Sequence, residues 1–361
     1  MSTQKQPLLF VGGYSPVSEP SLHAFRLDEA TGALTLAGRF SGVVHPGFLA
    51  VHPNGRWLYA GSEAAQPDSD LLGAVFALRY AGDPLRVEIV NHQDARGAPC
   101  HLLLDGTARW ALFANYGAGS AGILPIQDDG SLGPLADFVQ HKGAGPNAAR
   151  QEAAHAHSTS LTPDNRFVIV ADLGIDQLVI YALDPQTGKL RPNGHGAAQP
   201  GSGPRHMAWH PDNKHLYVAN ELDSSIAVYD YDAGAGHLTE VQFLPTLPQR
   251  PADAPDNLVA DIHVTHDGKR VMVSNRGHNS LAIFDIGPDA RLSLAAIQSC
   301  GGNWPRNFQL SPSGRWVLVA NERSNEVTVM PLGSGAQPLG EPVARAAVTG
   351  AAVIQFAPAN V

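Results

Sequence analysis

Arg205, Arg276 and Arg306, with Glu221 and the pair His155 and His157, are the residues of this chain best suited to act together as a reaction centre. Guanidinium forks match carboxylate or phosphate oxygens two at a time, so arginines converging on one pocket imply an anionic ligand. Glu221 among them would orient or deprotonate a water. His157, in Ala154-His155-Ala156-His157-Ser158, would exchange a proton near neutral pH. Base, proton shuttle and cationic oxyanion support suit attack on an ester or lactone carbonyl, or its reverse. No Gly-x-Ser-x-Gly elbow occurs, and this chemistry needs no serine nucleophile.

Plainer readings stand beside these. A single Arg or Glu at a loop mouth is usually solvated or salt-bridged. His155 and His157, at a spacing of two, face the same side of a regular strand and would suit a metal. No third ligand stands at matching spacing, so neither a metal nor another cofactor is expected. His206, like His210 and His263, reads equally as a hydrogen-bonded core histidine. Cys100 and Cys300 form no zinc spacing and no disulfide framework, which fits a reducing compartment.

What must position these residues is a repeat. Six stretches read as apolar strand, turn, second apolar strand, beginning at Phe48, His101, Ser158, His206, Asp261 and Asn307. In each, a small polar residue follows fourteen positions later: Ser62, Asn115, Asp172, Asn220, Asn275, Asn321. The turns share Pro/Asp/Asn/Gly chemistry (Pro53-Asn54-Gly55, Pro211-Asp212-Asn213, Pro312-Ser313-Gly314), the mark of a hairpin loop. A third strand, a second Asp/Gly turn and a fourth strand follow. Four antiparallel strands at intervals of roughly fifty residues predict the blades of an all-β propeller.

The two ends complete the count. Leu8 to Tyr14 aligns with a second strand lacking a first, and Ala351 to Pro358 with a first strand lacking a second. Together they make a seventh blade, so residues 1–361 are expected to form one domain. Segments 8–14 and 351–357 share its closing blade, and the C-terminal strand is innermost. Two positions per blade should face the channel mouth. The start of the inner strand carries Gly47, Cys100, His157, Arg205, Ala260, Arg306 and Ala352. The turn after the second strand carries Tyr14, Glu63, Tyr116, Leu173, Glu221, Arg276 and Glu322. Four consecutive blades supply most of the ionisable groups.

Composition narrows the function classes. Of 361 residues, 33 are Asp or Glu against 24 Lys or Arg, a formal net charge of −9 that argues against a nucleic-acid or anionic-membrane partner. Charged residues are 16% and apolar ones 43%, which excludes disorder and coiled coil. The apolar run Leu8–Val11 is too short for a signal peptide, and no run approaches a membrane span. A cytoplasmic protein is expected.

The stretches Gly201–Tyr231, Ala260–Ile286 and His155–Gly174, with Gly-Pro-Arg-His, Asn-Glu-Leu and Ser-Asn-Arg-Gly-His-Asn in that order, resemble the lactonase family of seven-bladed propellers. That family includes propeller-type 6-phosphogluconolactonases and is related to 3-carboxy-cis,cis-muconate lactonizing enzymes. The resemblance covers essentially the whole chain. It implies catalytic roles for His157, Arg205, Glu221 and Arg276, no obligatory metal, and Arg306 as the next candidate. His155, His206, Asp261, Asn307 and His101 are expected to line the substrate site. The expected reaction is hydrolysis of a small anionic sugar-acid lactone, 6-phosphogluconolactone or an unphosphorylated aldono- or aldarolactone. The alternatives are cycloisomerisation of a carboxymuconate and a non-catalytic binding scaffold. A monomer or weak homo-oligomer is expected.

Overall fold

The computed structural model describes residues 6–65, 71–248 and 256–358. Its strands form seven four-stranded antiparallel sheets. The apolar, β-branched runs of the repeat become second strands such as Trp110–Asn115 and Trp316–Asn321, buried along their whole length. Strands covered on both faces read as continuous apolar runs rather than alternating ones. The inner strands of blades one to six are Pro46–Val51, Pro99–Leu104, Ala156–Leu161, Pro204–Trp209, Leu258–Val264 and Pro305–Leu310. Ala351–Phe356 is the seventh, paired antiparallel with Leu8–Gly13 in a sheet that continues through Leu22–Leu27 and Leu34–Phe40. Each inner strand packs beside the next around a closed circle, so the inner wall has no free edge.

The blades are glued by their faces. Leu318 and Val327 of blade six meet Leu9 and Phe25 of blade seven, and Phe10 of blade seven meets Leu58 and Phe76 of blade one. A comparable apolar cluster fills every other blade-to-blade interface. Burying a side chain such as Phe10 contributes about 2–3 kcal/mol. The small polar residue that closes the second strand in blades one to six is fully buried, and in several blades it ties down the connection entering its blade. Asn115 donates to the Ala95 carbonyl, and Asp172 accepts from the His155 amide at 2.7 Å. Those connections carry the channel mouth.

Candidate active site

Every inner strand slips register at its first turn of pairing. Pro204 opposes Asn220 and His206 opposes Ala219, which leaves Arg205 as the extra residue of a β-bulge. The same slip isolates Gly47, Cys100, His157 and Arg306 in their blades. In blade five it spans Ala260 and Asp261, and in blade seven it falls at Ala352. A bulge bends the strand and re-aims one side chain, and here it aims the same column inward around the ring.

Blades three to five use that column to build a hub around Glu221. Its Oε2 accepts from Arg205 Nε at 2.9 Å and lies 2.8 Å from an Nη of Arg276. Its Oε1 accepts from an Nη of Arg150 at 2.6 Å. His157 Nε2 stands 3.8 Å from Oε2, outside direct hydrogen-bond range. Arg205 also donates to the Ala260 carbonyl, and Arg276 to the carbonyls of Leu258 and Val259, so both guanidiniums are fixed by main chain.

Burial alone would raise the Glu221 carboxyl, but Arg276, Arg205 and Arg150 outweigh it and hold it at about 2. Burial, then Glu221 and the other arginines, leave Arg276 at about 10. His157 is pushed well below its ordinary value by burial and then by Arg205, His206 and Arg306, so the ring is neutral at pH 7. Of the two roles expected for Glu221, orienting or deprotonating a water, this setting favours the first. A carboxylate this acidic, with both oxygens on guanidiniums, is a weak base and a strong organiser. A neutral imidazole keeps a ring nitrogen lone pair that can accept a proton.

Beneath the hub lies a second polar layer. His206 Nε2 faces Arg205 at 3.1 Å and its Nδ1 faces Asp261 at 2.7 Å. The arginine can only donate, so His206 carries its proton on Nδ1. Burial, then Arg205, bring its pKa to about 4. Asp261 also accepts from His263, from Asn307 at 2.5 Å and from the Phe308 amide, which saturates the carboxylate. His101 packs on the Phe48 ring at 4.2 Å and accepts from the Thr159 amide. His101, His206, Asp261 and Asn307 line a cavity of about 300 Å³ that runs on to Trp209 and Gln309, toward the far ends of the inner strands.

Arg306 is in a neighbouring sector. It lies over the Tyr14 ring at 5.1 Å and pairs with Glu63 at 3.4 Å, and Tyr14 donates to Glu63 at 2.6 Å. Cys100 is buried beside His157, and burial pushes its thiol up to about 12. Burial thus disfavours the thiolate that a nucleophile needs. His155 precedes the strand, stacks on Tyr116 at 4.5 Å and faces Glu152 at 3.1 Å, while His157 meets the same Tyr116 ring edge-on at 5.4 Å. The bulge at His157 breaks the alternation that would have put both rings on one face. Among the described residues, three metal-capable side chains come within reach of one another only at His210, Asp212 and His215. That turn follows Trp209 and so sits at the opposite end of the inner strand from Arg205.

Two features of the mouth lie outside the repeat columns. Arg150 comes from the connection 141–155, much longer than connections such as 95–98 and 41–45. Trp304 has φ +67, in a slot that blades four and seven fill with Gly203 (φ +66) and Gly350 (φ +58). Its ring lies under Arg323 at 3.2 Å and near Arg276 at 5.6 Å. A bulky residue in a left-handed slot costs of order 1–3 kcal/mol. Blade one also places a non-glycine there, His45 with φ +46.

Comparison with known proteins supports the fold and assigns a family. The family model described as "Lactonase, 7-bladed beta-propeller" matches residues 8–356. A 6-phosphogluconolactonase of Bacillus subtilis is 34% identical over 89% of this chain and 89% of its own. A 6-phosphogluconolactonase of Pectobacterium carotovorum is 32% identical over 92% of this chain and 94% of its own. The solved structure of a periplasmic gluconolactonase of Pseudomonas aeruginosa superposes with TM-score 0.90 at 26% identity, covering 98% of this chain and 99% of that one. With the family model spanning nearly the whole ring, the chain belongs to the lactonase family of seven-bladed β-propellers.

Proposed function

We propose that this lactonase hydrolyses the internal ester of a sugar-acid lactone, either 6-phosphogluconolactone or an unphosphorylated aldono- or aldarolactone. The observation that carries the reading is an imidazole, His157, placed 3.8 Å from a carboxylate, Glu221, that gathers three guanidiniums. Three positive groups around one negative group leave the mouth cationic in a chain of formal charge −9. Such a site favours an anionic substrate and an anionic transition state.

His157 takes a proton as water adds to the lactone carbonyl, and the carbonyl oxygen gains negative charge opposite Arg205 and Arg276. The ring C–O bond then breaks, and the departing oxygen takes the proton back from His157, giving the open hydroxy acid. Glu221 keeps the two arginines in register throughout. No step draws on a metal or cofactor. Ring closure of a carboxymuconate is a different reaction, addition of a carboxylate oxygen across a C=C bond with no water consumed, and relatives named for phosphogluconolactone and gluconolactone favour hydrolysis. The expected setting is the cytoplasm, as a monomer or weak homo-oligomer; the free, buried Cys100 and Cys300 suit a reducing compartment.

Proton exchange at constant pH tests the reading, with release expected from 6-phosphogluconolactone, glucono-δ-lactone and an aldarolactone, and uptake marking ring closure of a carboxymuconate. Turnover of at least one lactone, lost in His157→Gln, is expected. Turnover of the carboxymuconate alone would replace hydrolysis with the lactone-forming reaction.

A further inference from the structure

The three arginines on Glu221 are not equivalent. The side chains of Arg205 and Arg276 are 2% and 7% exposed, that of Arg150 is 34% exposed. The buried pair is pinned to main-chain carbonyls, whereas among the described residues the Arg150 guanidinium bonds only to two side chains, Glu221 and the Tyr116 hydroxyl at 3.2 Å. Exchanging one partner for another therefore leaves the backbone unchanged. It also leaves Glu221 held, because Arg205 and Arg276 share Oε2 while Arg150 alone takes Oε1.

The segment that carries Arg150 is built into the fold. Gln151 is fully buried and donates to the Leu173 carbonyl and to Asp176, both at 2.8 Å. Its main-chain amide bonds Asn147, and its side-chain oxygen accepts from the Asn147 amide. A Cβ on Gly174 would come 1.9 Å from the Ala153 carbonyl, so the connection lies flush against blade three. The base of Arg150 is anchored on both sides while its guanidinium stands at the mouth in contact with solvent.

We propose that Arg150 is the specificity-determining arginine, which leaves Glu221 to grip a second anionic group, phosphate or carboxylate, at the far end of the lactone. This rests on the hydrolytic reading above. In the free protein Glu221 holds the place of that anion. Binding exchanges a carboxylate of the protein for an oxyanion of the ligand, to which the guanidinium fork is at least as well matched. Arg205 and Arg276 remain for the reacting carbonyl.

The test compares Arg150→Ala and Arg150→Lys with the parent on three lactones: 6-phosphogluconolactone, an aldarolactone and glucono-δ-lactone, which has no second anion. The expected result is a loss in kcat/KM on one of the two anionic lactones at least tenfold larger than on glucono-δ-lactone, carried by KM. Which lactone shows it identifies the anion. Equal losses on all three, or a loss carried by kcat, would overturn the proposal and make Arg150 part of the reaction centre. Calorimetry with gluconate 6-phosphate, glucarate and gluconate runs alongside. If the parent hydrolyses no lactone, the hydrolytic reading fails. Calorimetry then decides separately, since a tenfold weaker Kd in Arg150→Ala for an anion-bearing acid, beyond that for gluconate, supports the grip, and its absence refutes it.

Discussion

Arg205 and Glu221 stand sixteen residues apart in the chain and 2.9 Å apart in the fold. They are the facing ends of one hairpin, the bulge residue of an inner strand and the first residue past the strand it pairs with. The pair is wholly buried, and that sets the cost of disturbing it.

Glu221→Gln removes the negative charge and leaves Arg205 and Arg276 buried without it. Breaking a buried pair from one side typically costs about 3–5 kcal/mol. The variant should melt well below the parent and lose roughly a hundredfold in kcat. Parent-like melting and turnover would show that the carboxylate organises nothing. Arg56 and Arg315, exposed in outer turns, serve as controls, and alanine at either should change kcat by less than twofold.

His157 must be neutral to accept a proton. Its pKa is held well below the ordinary value, so kcat should rise with pH to a plateau reached before neutrality, with its midpoint below 6.5. His157→Gln should lower kcat by at least roughly a hundredfold and remove this acid limb. A limb that survives the substitution belongs to another group.

Stability should fall in mild acid. His101, His157 and His206 are all held below their ordinary value when folded. The unfolded chain therefore binds more protons than the folded one as pH drops under 6.5. His206 alone, at about 4 in the fold, should remove about 3 kcal/mol between pH 6.5 and 4. Urea titrations at pH 7.5 and 5 measure this, and equal midpoints would refute it.

Deleting residues 350–361 removes the strand that pairs with Leu8–Gly13 and bares Phe10 and Val11. The shortened protein should lose its single cooperative melting transition or melt far below the parent. An unchanged melting curve would contradict closure by that strand.

Prolonged chelation should leave lactone turnover unchanged. The donors nearest Glu221 are guanidiniums, which repel cations, and the grouping of His210, Asp212 and His215 lies at the other end of its blade. Activity lost to chelator and restored by zinc, calcium or magnesium would place a metal in the reaction.

The propeller was legible because its turn chemistry recurs blade after blade, and because Leu8–Tyr14 and Ala351–Pro358 are complementary fragments of one unit. Arg205, Glu221 and Arg276 were legible as departures from the repeat. The bulge was not, since a one-residue slip leaves no mark on composition, and without it His155 and His157 read as neighbours on one face. Nor was the role of Glu221, because its charge state depends on partners from three places in the chain. Arg150 lies outside the repeat, and its one sequence signal is the length of the connection that carries it.

The blade shared by both ends of the chain also sets an order of events during synthesis. Leu8–Gly13 leaves the ribosome among the first strands and Ala351–Phe356 last, so the oldest sheet waits for the youngest strand. Through that interval the edge of Leu8–Gly13 is a bare row of amides and carbonyls beside other nascent chains, the kind of surface that misassembles. The hub around Glu221 is drawn from blades three to five and from the connection 141–155, none of it at that seam. Its arginines and carboxylate have all been translated before the ring is sealed, so any cellular factor that guards the nascent chain has the seam, and not the catalytic sector, to protect.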